Sequence, residues 1–254
     1  MKLGIIGCGA IGTDVALAAD KMKEIEKIYL FDKKEDVAEL LCSKMKKATV
    51  QHVNTFLADV DLVFEAASQE AVRQYALMVL EAEKDIIIMS IGSLFDDSLL
   101  KKLETTARKK QRKIYLPSGA VCGIDGVLAA SIEELDNVTL VTTKPPASLG
   151  KSVETRTVVY RGNARNAVKL FPKNINVAAC LSLAGVGFDK TNVEIVADPV
   201  ETRISHKILA HGKFGRLRAE VENMPNPKNP QSSYMASLSA IATLHRVLDP
   251  IQIA

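Results

Sequence analysis

Residues 3–6 form a short apolar run that ends in Gly7-Cys8-Gly9-Ala10-Ile11-Gly12. Residues 13–22 follow at once with the apolar spacing of an amphipathic helix. A strand, a tight turn and a helix joined this closely restrict the chain to an α/β layer fold. The three glycines have separate duties in such a turn. Gly7 permits the turn, Gly9 lets a dinucleotide pyrophosphate approach the backbone, and Gly12 lets the helix pack closely on the strand. Gly7, Gly9, Ala10, Ile11 and Gly12 are therefore the expected diphosphate cradle. It lies at a helix N-terminus, where unpaired N–H groups and the helix dipole favour an anion.

A second apolar run, residues 27–31, ends in Asp32, about 20 residues beyond Gly12. A carboxylate there would take both adenosine ribose hydroxyls. Asp32 would repel a 2′-phosphate and so favours NAD. Lys33 and Lys34 would either offset that repulsion for NADP or begin the solvated face of the next helix. The expected cofactor is therefore NAD or NADP.

The alternation continues through the first half. Residues 35–47, 70–81 and 96–110 read as helices, and residues 61–65, 85–90 and 113–116 as strands. Short strands alternating with helices predict a Rossmann-type doubly wound parallel sheet. Ligands bind such sheets beyond the carboxyl ends of the strands, which here carry Gly7, Asp32, Ala67, Ser68, Gly92 and Ser118.

After Pro117 the pattern changes. Residues 118–126 are a glycine-rich connection into a small-residue helix. Strands follow at 138–143, 153–160, 193–197, 202–211 and 216–221, with helices at 163–170 and 175–183. This predicts a second α/β domain with a mixed sheet. Residues 223–230, dense in Pro and Asn, read as a return loop, and residues 232–248 as a last amphipathic helix packing on the nucleotide domain. The expected domains are 1–117 with 229–254, for the dinucleotide, and 118–228, for substrate and dimerisation.

Composition excludes several classes. The net charge of +3, from 33 basic and 30 acidic residues, is too balanced for a nucleic-acid binder. No run of about 18 uncharged apolar residues exists to span a membrane. The chain enters a strand at Lys2, leaving no room for a signal peptide. Cys8, Cys42, Cys122 and Cys180 are widely spaced, with no CxxC pair. They read as reduced thiols of a cytoplasmic protein rather than a disulfide frame or metal site.

A nicotinamide-dependent enzyme needs a proton acceptor and substrate anchors on its second domain. Of the four histidines, His52, His211 and His245 read as loop or surface residues. His206 lies in a strand whose alternation places Ile204, His206 and Ile208 on one face, so it is either a satisfied core residue or an active-site one. Lys144, at a strand end, would pair with a substrate carboxylate or be solvated. Arg203 falls on the face opposite His206. Ser68 would cap a helix or face the ligand. Asn174 fits a helix cap, while Asn176, inside the first turn, would face a cleft.

Taken together these segments resemble the L-aspartate dehydrogenases over nearly the whole length. The resemblance is carried by residues 7–12, Glu65-Ala66-Ala67-Ser68-Gln69, Ser118-Gly119-Ala120 with Gly123, Phe171-Pro172-Lys173-Asn174-Ile175-Asn176-Val177-Ala178, Val196-Ala197-Asp198, the His206 strand, and Ser233-Tyr234. It implies a homodimer that oxidises L-aspartate to iminoaspartate with NAD or NADP. The product is either hydrolysed to oxaloacetate and ammonia or passed to quinolinate synthase. It also implies His206 as the catalytic residue, with Ala120 and Asn176 near the nicotinamide. Ser118, Asn174 and Lys144 are the expected substrate contacts. A histidine titrating near neutrality suits removal of the substrate amine's proton. Rival readings are a dehydrogenase of homoserine, of a dipicolinate precursor or of an aspartate semialdehyde, the last needing Cys122 or Cys180 as nucleophile, and a non-catalytic NAD(H)-sensing module.

Overall fold

In the computed structural model, residues 1–171 and 175–251 are described, Gln231 without its side chain. The chain divides into two compact units, residues 1–117 with those from 239 onward, and residues 118–238. The crossing from the second unit back to the first thus falls within the last helix.

The apolar runs of the first unit become strands β1 (Lys2–Ile6), β2 (Lys27–Phe31), β3 (Ala48–Val50), β4 (Leu62–Glu65), β5 (Asp85–Ile88) and β6 (Ile114–Tyr115). They pair in the order β3-β2-β1-β4-β5-β6, all parallel. The crossovers are α1 (Ala10–Ala19), α2 (Glu35–Cys42), α3 (Val53–Phe56), α4 (Gln69–Glu81) and α5 (Asp97–Lys110). This is the Rossmann order, and its reversal at β1 creates a crevice between the ends of β1 and β4. Ser68 caps α4 by accepting the Ala71 N–H, and Asp96 caps α5 by accepting from Ser98 and Leu99.

The helix expected over 35–47 stops at Cys42. The Asp20 carboxylate, at the end of α1, accepts the N–H groups of Lys46 and Lys47, and the chain turns there into β3. That edge strand is too short to show an alternation in the sequence.

The second unit holds α6 (Ile124–Ala130), β7 (Leu135–Lys144), β8 (Thr157–Asn163), α7 (Ala164–Leu170), α8 (Asn176–Ala184), β9 (Asn192–Ala197), β10 (Ile204–Gly212) and β11 (Gly215–Asn223). Its five-stranded sheet runs β11-β10-β7-β9-β8, with β7 and β9 parallel and the other neighbours antiparallel. Helices α6 and α8 pack on one another. Along β10, Ile204, His206, Ile208 and Ala210 are buried while Ser205, Lys207 and Leu209 between them are not fully covered. The strand expected over 153–160 is displaced to β8, which runs on until the Asn163 side chain caps α7 by accepting the Asn166 N–H. Residues 223–230, expected as a plain loop, enter a small hairpin of β12 (Pro225–Asn226) and β13 (Asn229–Ser233). Asn226 fixes its turn: Oδ1 accepts the Lys228 N–H and Nδ2 donates to Ser237 Oγ.

The last helix, α9 (Tyr234–Leu248), places Ala240 and Leu244, one turn apart, in the core of the first unit beside Leu3, Ile5, Val15, Ile28 and Leu30. Leu244 is fully buried. Leu244→Ala should cost about 2–5 kcal/mol of stability, the usual range for a buried leucine. Guanidinium unfolding monitored by circular dichroism checks this, and a midpoint equal to that of the native chain would refute the packing.

Candidate active site

In the first unit the glycine turn is held to a narrow geometry. Gly7 has φ of +98°, and a Cβ there would stand 2.7 Å from the Ala67 backbone. A Cβ on Gly12 would stand 1.9 Å from the Gly7 carbonyl oxygen, so only glycine lets α1 start this close to β1. Gly9 is the opposite case, with no atom within 4 Å of where its Cβ would be. It precedes α1 and offers no side-chain cap to that helix, whose first turn begins at Ala10 and Ile11. This open cradle of backbone donors fits a diphosphate.

A cavity of about 250 Å³ adjoins the cradle. Gly7, Gly9, Asp32, Ala67 and Ser68 line it, as do Phe31, Lys33, Ala71 and Tyr75, which carry its wall along β2 and α4. Asp32 is fixed from two sides: Oδ2 accepts the Cys8 N–H at 2.8 Å and Oδ1 the Lys34 N–H at 2.9 Å. Gly92 is not on this wall. It is buried in a short helical turn, Ile91–Phe95, after β5.

Glu65, quoted in the sequence only as part of a motif, proves to be the hub of this end of the sheet. It is 1% exposed. Oε1 accepts the N–H groups of Ala67 and Ser68 and the Ser90 hydroxyl, and Oε2 accepts the Ser90 N–H. Burial pushes its carboxyl up from the ordinary glutamate range, and the four donors oppose that push. The available signal was an acid closing a fully buried strand, which must be paired to be tolerated.

In the second unit His206 alone of the four histidines is buried. His52 caps α3, His211 faces Asp136 at the surface, and His245 is exposed. His206 pairs with Thr142 of β7 and Val221 of β11. Its Nδ1 is hydrogen-bonded to Thr142 Oγ1 at 2.9 Å. Thr142 was overlooked, although alternation along residues 138–143 would have put it on the histidine's face. Lys144, two residues on, shares that face and is 5% exposed. Burial pushes its ammonium down to about 8. The same burial, and then the Lys144 charge, push His206 down to about 3. The imidazole titrating near neutrality that the sequence suggests is thus a neutral ring throughout the physiological range.

The remaining expected residues separate. Ala120 is buried, and its carbonyl accepts from Asn223 Nδ2 at 3.0 Å. Ser118 is half-buried at the start of the same segment, and Asn176 opens α8. Asn174 lies outside the described residues. Arg203 pairs with Glu222 at the surface. Cys122 is exposed. Cys180 is buried, which pushes its thiol up to about 12 and suits no nucleophile.

Comparison with known proteins follows the same division. Residues 7–117 match the family model for the homoserine dehydrogenase NAD-binding domain, and residues 125–247 the model for the aspartate dehydrogenase C-terminal domain. The L-aspartate dehydrogenase of Methanosarcina barkeri is 44% identical over 268 residues, covering 100% of this chain and 99% of that protein. That of Nitrosopumilus maritimus is 42% identical over 269 residues, covering 99% and 98%. The crystal structure of aspartate dehydrogenase from Thermotoga maritima matches with a TM-score of 0.84 at 30% identity, over 100% of this chain and 99% of that one. With identity at this level along the full length of both partners, the chain belongs to the L-aspartate dehydrogenase family.

Proposed function

We infer that the chain is an NAD(P)-dependent oxidoreductase that converts L-aspartate to iminoaspartate, and we propose that His206 is its proton acceptor. The observation that carries this reading is the buried face of the second sheet, where a neutral imidazole bonded to Thr142 stands beside a desolvated lysine. Bound NAD or NADP supplies the hydride acceptor. The chain's residues do the rest. Gly7, Gly9, Ala10, Ile11 and Gly12 hold the diphosphate, Asp32 the adenosine ribose, and Ala67 and Ser68 the wall beside it. Gly92, Ala120 and Asn176 are assigned to the nicotinamide half. The assigned domains are 1–117 with 229–254 for the dinucleotide and 118–228 for substrate and dimer formation.

Substrate amine must lose a proton before its lone pair can form the C=N bond as Cα gives up hydride. With Nδ1 engaged by Thr142, Nε2 is the nitrogen assigned to take that proton. Burial and then the Lys144 charge hold the imidazole pKa down, and substrate acts on the second of these. A carboxylate paired with Lys144 offsets the cation that depresses the ring, and the second carboxylate adds negative charge, so both raise the imidazole pKa on binding. Ser118 and Asn174 complete the proposed substrate contacts.

The rival semialdehyde chemistry gains nothing from Cys180, whose thiol is buried and protonated. No feature of the second unit favours a non-catalytic sensor. We place the protein in the cytoplasm, consistent with four cysteines none of which forms a disulfide. We assign it as a homodimer formed through the second unit, which exposes Leu128, Ile132 and Val200. Coupling to quinolinate synthase would place the imine in NAD biosynthesis.

Three outcomes are expected. His206→Ala should lower kcat with L-aspartate by roughly 10²-fold or more while NADH binding, read by fluorescence, is retained; unchanged kcat removes His206 from the mechanism. Asp32→Ala should weaken NAD more than NADP in steady-state kinetics, and equal losses would show that Asp32 does not read the ribose. Lys144 is cationic below a pKa of about 8 and neutral above it. Competitive inhibition by succinate should therefore weaken as pH rises through that value. Lys144→Met should give a weaker, flat profile, and a native-like slope in that variant would assign the titration elsewhere.

A further inference from the structure

Asn223 closes β11, opposite Ile204 of β10, and is 3% exposed. Its amide orientation is fixed chemically. The Ala120 carbonyl can only accept, so the group facing it at 3.0 Å must be the Nδ2 donor. The amide oxygen then points the other way, and it is the one buried side-chain polar atom among the described residues with no hydrogen-bond partner. A buried acceptor left unmade costs about 1–3 kcal/mol, so its presence calls for an explanation.

Position supplies one. His206 pairs with Val221, so Asn223, two residues along β11, is a diagonal neighbour of His206 on the same face. Such neighbours stand about 7–8 Å apart at Cα, within reach of one another's side chains. Lys144 lies on this face at the same end of the sheet, two residues beyond the Thr142 that binds His206. A cation, a neutral base and an unsatisfied acceptor therefore converge on one buried edge. An α-amino acid presents the complementary set: carboxylate for the cation, and amine N–H both for the base and for the acceptor.

We propose that Asn223 is a specificity-determining residue whose Oδ1 accepts an N–H from the amino group of the bound amino acid, while Nδ2 ties the 118–123 segment to the sheet through Ala120. This rests on the reading of the chain as an L-aspartate dehydrogenase and adds to it the group that recognises the amine. The hydrogen bond can be made to the ammonium and kept to the neutral amine, so it holds the nitrogen in place while His206 takes the proton.

The test compares L-aspartate with succinate, which keeps both carboxylates and lacks the amine. In Asn223→Ala the KM for L-aspartate should rise roughly 10- to 100-fold, the scale of a hydrogen bond to a charged group. The succinate inhibition constant and the NADH dissociation constant should each stay within about threefold, a change worth less than 1 kcal/mol. Equal losses for aspartate and succinate would show that Asn223 only braces the fold, and overturn the proposal. A loss confined to NADH would move the acceptor to the nicotinamide carboxamide, and overturn it as well. Should Asn223→Ala not fold, Asn223→Ser, whose hydroxyl can donate to the Ala120 carbonyl but which lacks the amide oxygen, is read by the same aspartate-to-succinate comparison. A loss confined to aspartate supports the assignment, and equal losses refute it. If the native chain neither oxidises nor binds L-aspartate, the functional reading itself has failed, an outcome distinct from any produced by the variants.

Discussion

Backbone N–H groups in the loops around a parallel sheet have no ladder to donate into, and in the first unit carboxylates receive them. Asp32 takes those of Cys8 and Lys34, and Glu65 those of Ala67, Ser68 and Ser90. At the opposite edge Asp61 takes the Lys2 N–H and Asp85 that of Lys113. Hydrogen bonds to charged groups contribute about 1.5–3 kcal/mol each. Two of these carboxylates therefore set the shape of the cavity between β1, β2 and β4 before any nucleotide arrives. Asp32 thereby has two duties, since the oxygen that would read a ribose also anchors the turn that would hold the diphosphate.

The second unit handles charge the other way. Several of its acids and bases pair at the surface, as Arg161 does with Glu194, Lys207 with Glu220 and Arg203 with Glu222. Lys144 and His206 are instead withdrawn from water on one sheet face, and burial depresses both. Desolvating two basic groups side by side is costly to the fold. Burial is the first cause of both shifts, and the Lys144 charge adds to that of His206, so the two groups are electrostatically coupled through the pleat.

The glycine turn and the strand ends were legible because each glycine has a steric reason that the sequence alone conveys, borne out at Gly7 and Gly12 by contacts no side chain would survive. The burial of His206 was legible as a face, since alternation is a property of the strand itself, but its partner was not sought on β7. Glu65 was hidden because its significance lies in donors from two loops more than twenty residues apart along the chain, Ala67 and Ser90. Asn223 was hidden differently. A cluster of Pro and Asn reads as a loop, and only the register of β11 on β10 turns the first asparagine of that cluster into a buried strand residue. The early end of α2 depended on Asp20, a residue from the preceding helix that no local periodicity reveals.

A division of labour follows from where the two family matches fall. The first unit matches a domain named for NAD binding in homoserine dehydrogenases, and its geometry is that of a dinucleotide cradle that many oxidoreductases would share. The second unit matches the domain named for aspartate dehydrogenases, and the polar groups buried on the His206 face at one end of its sheet are Thr142, Lys144, His206 and Asn223. Each comes from a regular strand, not a loop, and strand pairing fixes their spacing to the pleat. Strand register therefore brings buried polar groups from three adjacent strands to one face, an arrangement that no single local motif could encode.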